Sequence, residues 1–359
     1  TLADVYSKEY AHFLEVFERV VLPEELQYAF FIEGGALAVE NAMKACFDWK
    51  TRKNFEKGLD LEAGICIHFR QAFHGRSGYT LSLTNTSDPR KYQYFPLFDW
   101  PRIINPKLHF PITEENLQET IKNEQLALVE IEQAILMNPD KVSCIIIEVI
   151  QAEGGDNHFR DEFFVELRKI CDENDILLIF DEVQTGIGIT GKMWAFQNFS
   201  VVPDVISFGK KTQVCGILAS KEKLNEVENH VFAESSRINS TFGGNFIDML
   251  RFQLVLEIIE KENLLENVQK QGDFLLKGLQ NLQEKYPQLI SNARGKGLMC
   301  AFDLPTGEIR KDFQEKLYEE NVIILICGDC SLRFRPHLNV SQEDLQYVLD
   351  KIEKIVQKY

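Results

Sequence analysis

The chain is 359 residues long, enough for about two domains and a large buried core. Its 39 basic and 55 acidic side chains leave a net charge of −16, spread without long blocks, which argues against nucleic acid or an anionic membrane as partner. Eight irregularly spaced cysteines exclude a disulfide scaffold, and no apolar run approaches the ~18 residues of a membrane span. The first residues carry no leader pattern, so a soluble cytoplasmic protein is expected.

Helical periodicity begins at Ala36 and continues to Lys53, with Leu37, Val39, Met43, Cys46 and Phe47 forming an apolar stripe and Lys44 and Lys50 outside it. The runs at 65–69, 143–147, 176–180 and 205–208 are short and continuously apolar, as strands buried on both faces require. Cys66 and Cys144 fall inside such runs and Cys300 in another, and read as buried thiols. Residues 84–113 hold five of the eleven prolines, with aromatic side chains between them, and read as a long ordered loop. A second helix is predicted at 160–173. From residue 251 the pattern changes to a long amphipathic helix, strand-like segments at 297–304 and 322–327, and a terminal helix from Ser341. The predicted architecture is α/β, a mostly parallel sheet covered by helices. A large domain at 1–250 is followed by a smaller α/β domain at 251–359. Cys327 and Cys330 form a lone C-x-x-C without a second pair, so no metal site is expected.

The most informative segment is ILLIFDEVQTGIGITG at 176–191. Gly186, Gly188 and Gly191 spell G-x-G-x-x-G, but Asp181 and Glu182 stand between strand and glycines, where they would repel a dinucleotide's phosphates. A carboxylate at a central strand end can instead keep a pyridine nitrogen protonated, although a turn-capping role would also explain Asp181. The strand at 205–208 leads to Lys210 and Lys211, and a lysine held in that crevice can form a Schiff base with an aldehyde. Glu33-Gly34-Gly35-Ala36 opens the first long helix, where backbone N–H groups can bind phosphate or the glycines simply cap the helix. Ser240-Thr241-Phe242-Gly243-Gly244-Asn245 is a second hydroxyl and glycine cluster, a phosphate cup or a turn.

DEVQTG at 181–186, the lysine 29 residues after Asp181, and STFGGN at 240–245 together resemble the class III (ω-amino acid) aminotransferases of pyridoxal phosphate (PLP) fold type I. The resemblance covers essentially the whole chain. EGGALAVENAMKACFDWKTRKN at 33–54, FGKKTQVCG at 208–216 and the Asp-Trp-Pro-Arg at 99–102 are similar to its lysine ε-aminotransferase subgroup. Departures from the broader class at 34–40 and 186–191 point the same way.

The resemblance implies PLP as cofactor, with Lys210 as Schiff-base lysine (Lys211 the alternative) and Asp181 at the pyridinium nitrogen. It also implies Gln184 near the phenolic oxygen, Gly35 and Ala36 at the phosphate, and Phe73 stacked on the ring. Thr241 would reach the phosphate of a neighbouring subunit, making a homodimer with shared sites. Arg333 and Arg76 would bind substrate carboxylates, with Arg335 a helper. Glu153 would mask Arg333 in one half-reaction and swing aside in the other, and Glu148 would give structural support. The implied substrates are L-lysine and 2-oxoglutarate, giving L-glutamate; ornithine, 4-aminobutyrate or a diamine is the alternative, followed by a non-catalytic binding protein of the same fold. Class III enzymes carry a further N-terminal segment over the active site, which this sequence, beginning inside the family pattern, is expected to lack.

Overall fold

The computed structural model describes residues 5–359. A seven-stranded sheet contains β1 (Tyr28–Ile32), β2 (Ile65–Phe69), β3 (Arg102–Ile103), β4 (Val142–Glu148), β5 (Leu177–Asp181), β6 (Val205–Phe208) and β7 (Cys215–Ala219). Their spatial order is β1-β7-β6-β5-β4-β2-β3, and only β7 runs against its neighbours. The helices accompanying it are α1 (Lys8–Val20), α2 (Gly35–Glu56), α3 (Gly78–Leu83), α4 (Glu114–Met137), α5 (Asp161–Glu173), α6 (Lys221–Leu224) and α7 (Phe246–Lys261).

The continuous hydropathy of the central strands follows from this layering. Cys144, Ile146, Leu177 and Ile179 pack with Val39, Met43, Cys46 and Trp49 of α2 on one face. Their neighbours Ile145, Ile147, Leu178 and Phe180 pack on the other face with Phe163, Phe164 and Leu167 of α5. Both faces are covered, so alternation has no reason to appear.

Two positions on α2 depart from the predicted stripe. Leu37 is 40% exposed, whereas Lys50 is almost fully buried. The Lys50 ammonium donates to the Asn174 carbonyl at 3.1 Å, just past the end of α5, where a cation meets the negative pole of the helix. Within 84–113, Phe98 stacks on Trp100 at 4.8 Å, and Trp100 also meets Phe47 and Tyr79. Tyr94, Phe95 and Phe98 itself stand exposed, so the loop is ordered with only part of its aromatic surface covered. The same loop contributes β3 to the sheet edge, pairing with His68 and Phe69.

The remaining elements are α8 (Leu264–Lys285), β8 (Ser291–Lys296), β9 (Met299–Asp303), α9 (Gly307–Glu319), β10 (Leu325–Cys327), β11 (Ser331–Arg333) and α10 (Gln342–Val356). The four strands make an antiparallel sheet ordered β10-β11-β9-β8. The long helix predicted after residue 251 is two helices, broken at Asn263, whose φ is 52°. Met249, Phe252 and Leu256 of α7 join the core of the large sheet, while Val268, Leu275 and Leu279 of α8 join the second core. We propose the domain division at this turn rather than at residue 250. Ser341 caps α10 through a reciprocal bond with Asp344. All eight cysteines are free thiols, and Cys66, Cys144 and Cys300 are buried. Among the described residues no helix is long and apolar enough to cross a membrane.

Helix α8 crosses the β8–β9 turn at Gly272, where an added Cβ would lie 2.3 Å from the Gly297 carbonyl carbon. Gly272→Ala is expected to cost about 1–3 kcal/mol through overpacking. Thermal unfolding should show a lowered midpoint, while Gly64→Ala, with nothing within 4 Å, leaves the midpoint nearly unchanged.

Candidate active site

Parallel register brings the ends of three strands together: Glu148 lies opposite Asp181, and Asp181 opposite Ser207. Asp181 ends β5 because its own Oδ1 accepts the Val183 N–H at 3.1 Å, a turn-forming bond that stops the strand. The same oxygen accepts the Ser207 hydroxyl at 3.0 Å, and Oδ2 pairs with His74 Nδ1 at 2.8 Å. The capping role therefore exists, but it uses only part of a carboxylate that is 3% exposed. The far nitrogen of His74, Nε2, is buried without a partner.

A cavity of about 220 Å³ opens beside this carboxylate. It is lined by Asp181, Gln184, Lys210 and Phe73, and by Gly35, Ala36 and Arg76. Helix α2 points its N-terminus here with no side-chain cap, and its first helical bond is that from the Ala38 N–H. The N–H groups of the opening turn are thus free for an anion. Packing is close: a Cβ at Gly75 would lie 2.7 Å from the Ala36 Cβ, and one at Gly209 3.0 Å from the Cys215 sulfur.

The two lysines separate. Lys210 lines the cavity, whereas Lys211 donates its ammonium to the Gln184 carbonyl at 2.5 Å. Burial, with help from Arg335 and Lys210, pushes the Lys211 amine down to about 7, against a weaker pull from Glu182. Glu182 itself is turned from the cavity. It accepts the Thr185 hydroxyl and the N–H groups of Ala195 and Phe196, and burial raises its pKa.

Glu148 connects the cavity to the next cluster. Its two oxygens accept the Phe73 N–H at 2.9 Å and the Ala152 N–H at 3.1 Å, and burial drives its pKa up to about 7. Immediately beyond Ala152, Glu153 Oε2 pairs with Arg333 Nη2 at 3.1 Å. Arg333 Nε and Nη1 are buried without partners. Lys91 supplies a second cation to Glu153, 2.6 Å from Oε1 and 5.7 Å from the Phe73 ring centre. Neither Arg333 nor Glu153 lines the cavity itself; they are linked to its Phe73 wall through Lys91.

Arg335 is engaged away from the cavity. Its guanidinium holds the fully buried Asp156 through both carboxylate oxygens, at 2.8 and 2.5 Å. Thr241 also stands apart, on an exposed loop that does not line the cavity. Arg76 is exposed at the cavity wall and has no carboxylate partner among the described residues. A larger groove of about 690 Å³ borders Arg102 and Glu130, but these are committed to His68 and to the Ile104 N–H.

Sequence reasoning missed His74, Ser207 and Lys91. His74 follows Phe73 directly and was within reach of the same motif. Ser207 sits in register with Asp181, which strand pairing alone could have supplied. Lys91 had no local signal.

The donor set fits PLP. A buried carboxylate suits a protonated ring nitrogen, an uncapped helix start suits a phosphate, Phe73 offers a flat wall, and Lys210 an amine. A sequence model described as aminotransferase class-III matches residues 5–356. The L-lysine-epsilon aminotransferase of Mycobacterium tuberculosis is 49% identical over 96% of this chain and 76% of its own length. That of Streptomyces clavuligerus is 44% identical over 98% of this chain and 77% of its own. A solved lysine aminotransferase from M. tuberculosis, in the internal aldimine form, superposes with a TM-score of 0.95 at 47% identity, covering 99% of this chain and 81% of that one. Human mitochondrial 4-aminobutyrate aminotransferase is 35% identical over 89% of this chain and 66% of its own. Sequence, fold and donor set agree: the chain belongs to the class III aminotransferases, PLP-dependent enzymes of fold type I.

Proposed function

We propose that this aminotransferase moves the ε-amino group of L-lysine to 2-oxoglutarate. The products are 2-aminoadipate 6-semialdehyde, which cyclises to piperideine-6-carboxylate, and L-glutamate. The observation that carries this reading is the Arg333–Glu153 pair, linked through Lys91 to the Phe73 wall of the cavity. Lysine presents a distal amine with no carboxylate near it, whereas glutamate presents an α-amine with a carboxylate attached. A site for both needs a cation that can be neutralised for the first and freed for the second, and Glu153 on Arg333 is such a device. The identity to lysine ε-aminotransferases supports the same substrate.

PLP supplies an aldehyde that takes up amines and a ring that withdraws electrons from the adjacent carbon. Lys210 would hold the cofactor at rest and, once released, move a proton off the lysine ε-carbon as general base. Asp181, kept in place by His74, Ser207 and the Val183 N–H, would hold a proton on the ring nitrogen. Gly35 and Ala36 would take the phosphate, Gln184 the phenolic oxygen, and Phe73 would cover one ring face. Arg76 would meet the second carboxylate of the diacid.

The working unit is a homodimer with shared sites. In its support, Thr241 lies off its own chain's cavity, with Phe242 and Ile247 exposed beside it. The eight free thiols support a cytoplasmic location, where a reducing environment keeps them unpaired.

Borohydride reduction of the PLP-loaded protein should fix the cofactor on a peptide at Lys210, and Lys210→Ala should lower turnover at least about a thousandfold. Trapping at Lys211 would reverse the assignment.

Lys211 carries a pH signature. Its amine is held near 7 when folded, below its ordinary value, so the unfolded chain binds the extra proton above that point and stability rises with pH there. Lys211→Met removes this dependence. Its unfolding midpoint relative to the parent should therefore be highest near pH 7 and decline toward pH 10.

Glu153→Ala should spare glutamate and lower the kcat/KM for lysine relative to it by about tenfold or more. Equal losses in both half-reactions would remove the switching role. Ornithine or 4-aminobutyrate turned over as well as lysine would remove the substrate assignment, since one methylene is worth only about 1–3 kcal/mol.

A further inference from the structure

Glu153 has two cationic partners, one on each oxygen. Arg333 Nη2 holds Oε2 at 3.1 Å and Lys91 Nζ holds Oε1 at 2.6 Å. The three side chains are all at least partly shielded, with Arg333 at 9%, Lys91 at 23% and Glu153 at 28% exposure. Lys91 closes a short turn, Pro89–Lys91, opened by Asp88, which accepts the Arg90 N–H at 3.2 Å and pairs with the Arg90 guanidinium. From there its ammonium reaches Glu153 and lies over the Phe73 ring.

For Arg333 to take a substrate carboxylate, Glu153 has to leave it. A half-buried carboxylate that loses its only cation bears a desolvation cost, which would bias the enzyme against the diacid. Lys91 removes that obstacle because it already holds the other oxygen. Its ammonium is a rotatable point charge on a flexible stem and can follow a moving carboxylate, whereas the planar Arg333 fork, on a sheet strand, cannot. The two unpartnered nitrogens of Arg333 are then joined by a third for the incoming anion.

We propose that Lys91 is a positioning residue that retains Glu153 in the arginine-free state and so favours the α-amino diacid half-reaction over the ω-amine one. The proposal rests on the switching role of Glu153.

The test uses PLP-loaded enzyme and single-turnover rates with lysine and with glutamate, in Lys91→Met and Lys91→Arg. Each is made in the parent and in Glu153→Ala. Lys91→Met should lower the glutamate-to-lysine ratio of kcat/KM about three- to tenfold, as loss of one half-buried ion pair implies. The change should fall mainly in the KM for glutamate, and Lys91→Arg should recover most of it. In the Glu153→Ala background the same substitution should leave the ratio within about twofold, as expected for a residue that acts through its partner. An unchanged ratio in the parent background overturns the proposal. So does an equal shift in the Glu153→Ala background, which would mean that Lys91 touches substrate directly. If Glu153→Ala itself leaves the ratio unaltered, the switching role fails and Lys91 loses its function with it. The cofactor absorbance and unfolding midpoint of each variant establish that it folds and loads.

Discussion

The layout of the site depends on one constraint: β4, β5 and β6 end in register, so that Glu148, Asp181 and Ser207 lie side by side at the carboxyl edge of the sheet. Two carboxylates this close, both buried, cannot persist without donors. Asp181 receives three, from Ser207, Val183 and His74. Glu148 receives two backbone N–H groups, and its pKa nonetheless rises to about 7, mainly through burial. The donors to Glu148 are the backbones of Phe73 and Ala152. Strand register thereby fixes the Asp181 carboxylate, the Phe73 wall of the cavity and the start of the loop that carries Glu153.

The second sheet holds the rest of that loop. Arg294 of β8 is buried and donates to the carbonyls of Gly155 and Asp156 and to Asp303. Arg335 grips the Asp156 carboxylate, and the Gly328 N–H donates to the Glu153 carbonyl at 2.9 Å. A Cβ at Gly154 would lie 2.2 Å from the Gln71 carbonyl oxygen, so the loop is pressed from the large-sheet side as well. Buried ion pairs add little net stability, because desolvation offsets most of the attraction. Their effect here is on position: they fix the backbone of 153–156 and leave the Glu153 side chain held by Arg333 on one oxygen and Lys91 on the other.

Strands β2, β4, β5 and β6 were legible because each is a short apolar run with both faces covered, whereas β1, with an exposed face, and the two-residue β3 carry no such run and β7 was not read; Asp181 and Lys210 stood out because they sit at the ends of β5 and β6. Lys50 was misread because amphipathic periodicity assumes solvent beyond the stripe, whereas the end of α5 lies there and offers carbonyls to a cation. Strand β8, Ser-Asn-Ala-Arg-Gly-Lys, carries almost no apolar signal, as suits the edge of an antiparallel sheet. Arg335 is two residues from Arg333, and alternation would place both on one face, but β11 ends at Arg333 and the chain turns toward Asp156. Lys91 meets Glu153 across 62 residues of sequence from a proline-rich loop. No local pattern can encode such a contact.

The choice between adjacent lysines shows how geometry overrides acidity. Proton affinity alone would favour Lys211, whose amine burial and neighbouring cations hold near 7, the range in which an amine is nucleophilic. Its ammonium is nevertheless committed to the Gln184 carbonyl. What divides the pair is the backbone. Lys210 has φ 56° and Gln213 φ 61°, left-handed values that cost side-chain-bearing residues about 1–3 kcal/mol each and persist only where the surroundings impose them. The surroundings here are the Gln213 N–H to Lys210 carbonyl bond and the close approach of Gly209 to Gly35 and Cys215. A side chain at 209 would crowd the Cys215 thiol of β7, 3.0 Å from an added Cβ. The strained turn sends Lys210 toward the N-terminus of α2 and Asp181 while Lys211 faces Gln184. The proposed chemistry at Lys210 thus rests on a local distortion held by the packing of β6, β7 and α2, and a bound cofactor would add its own contacts to that restraint.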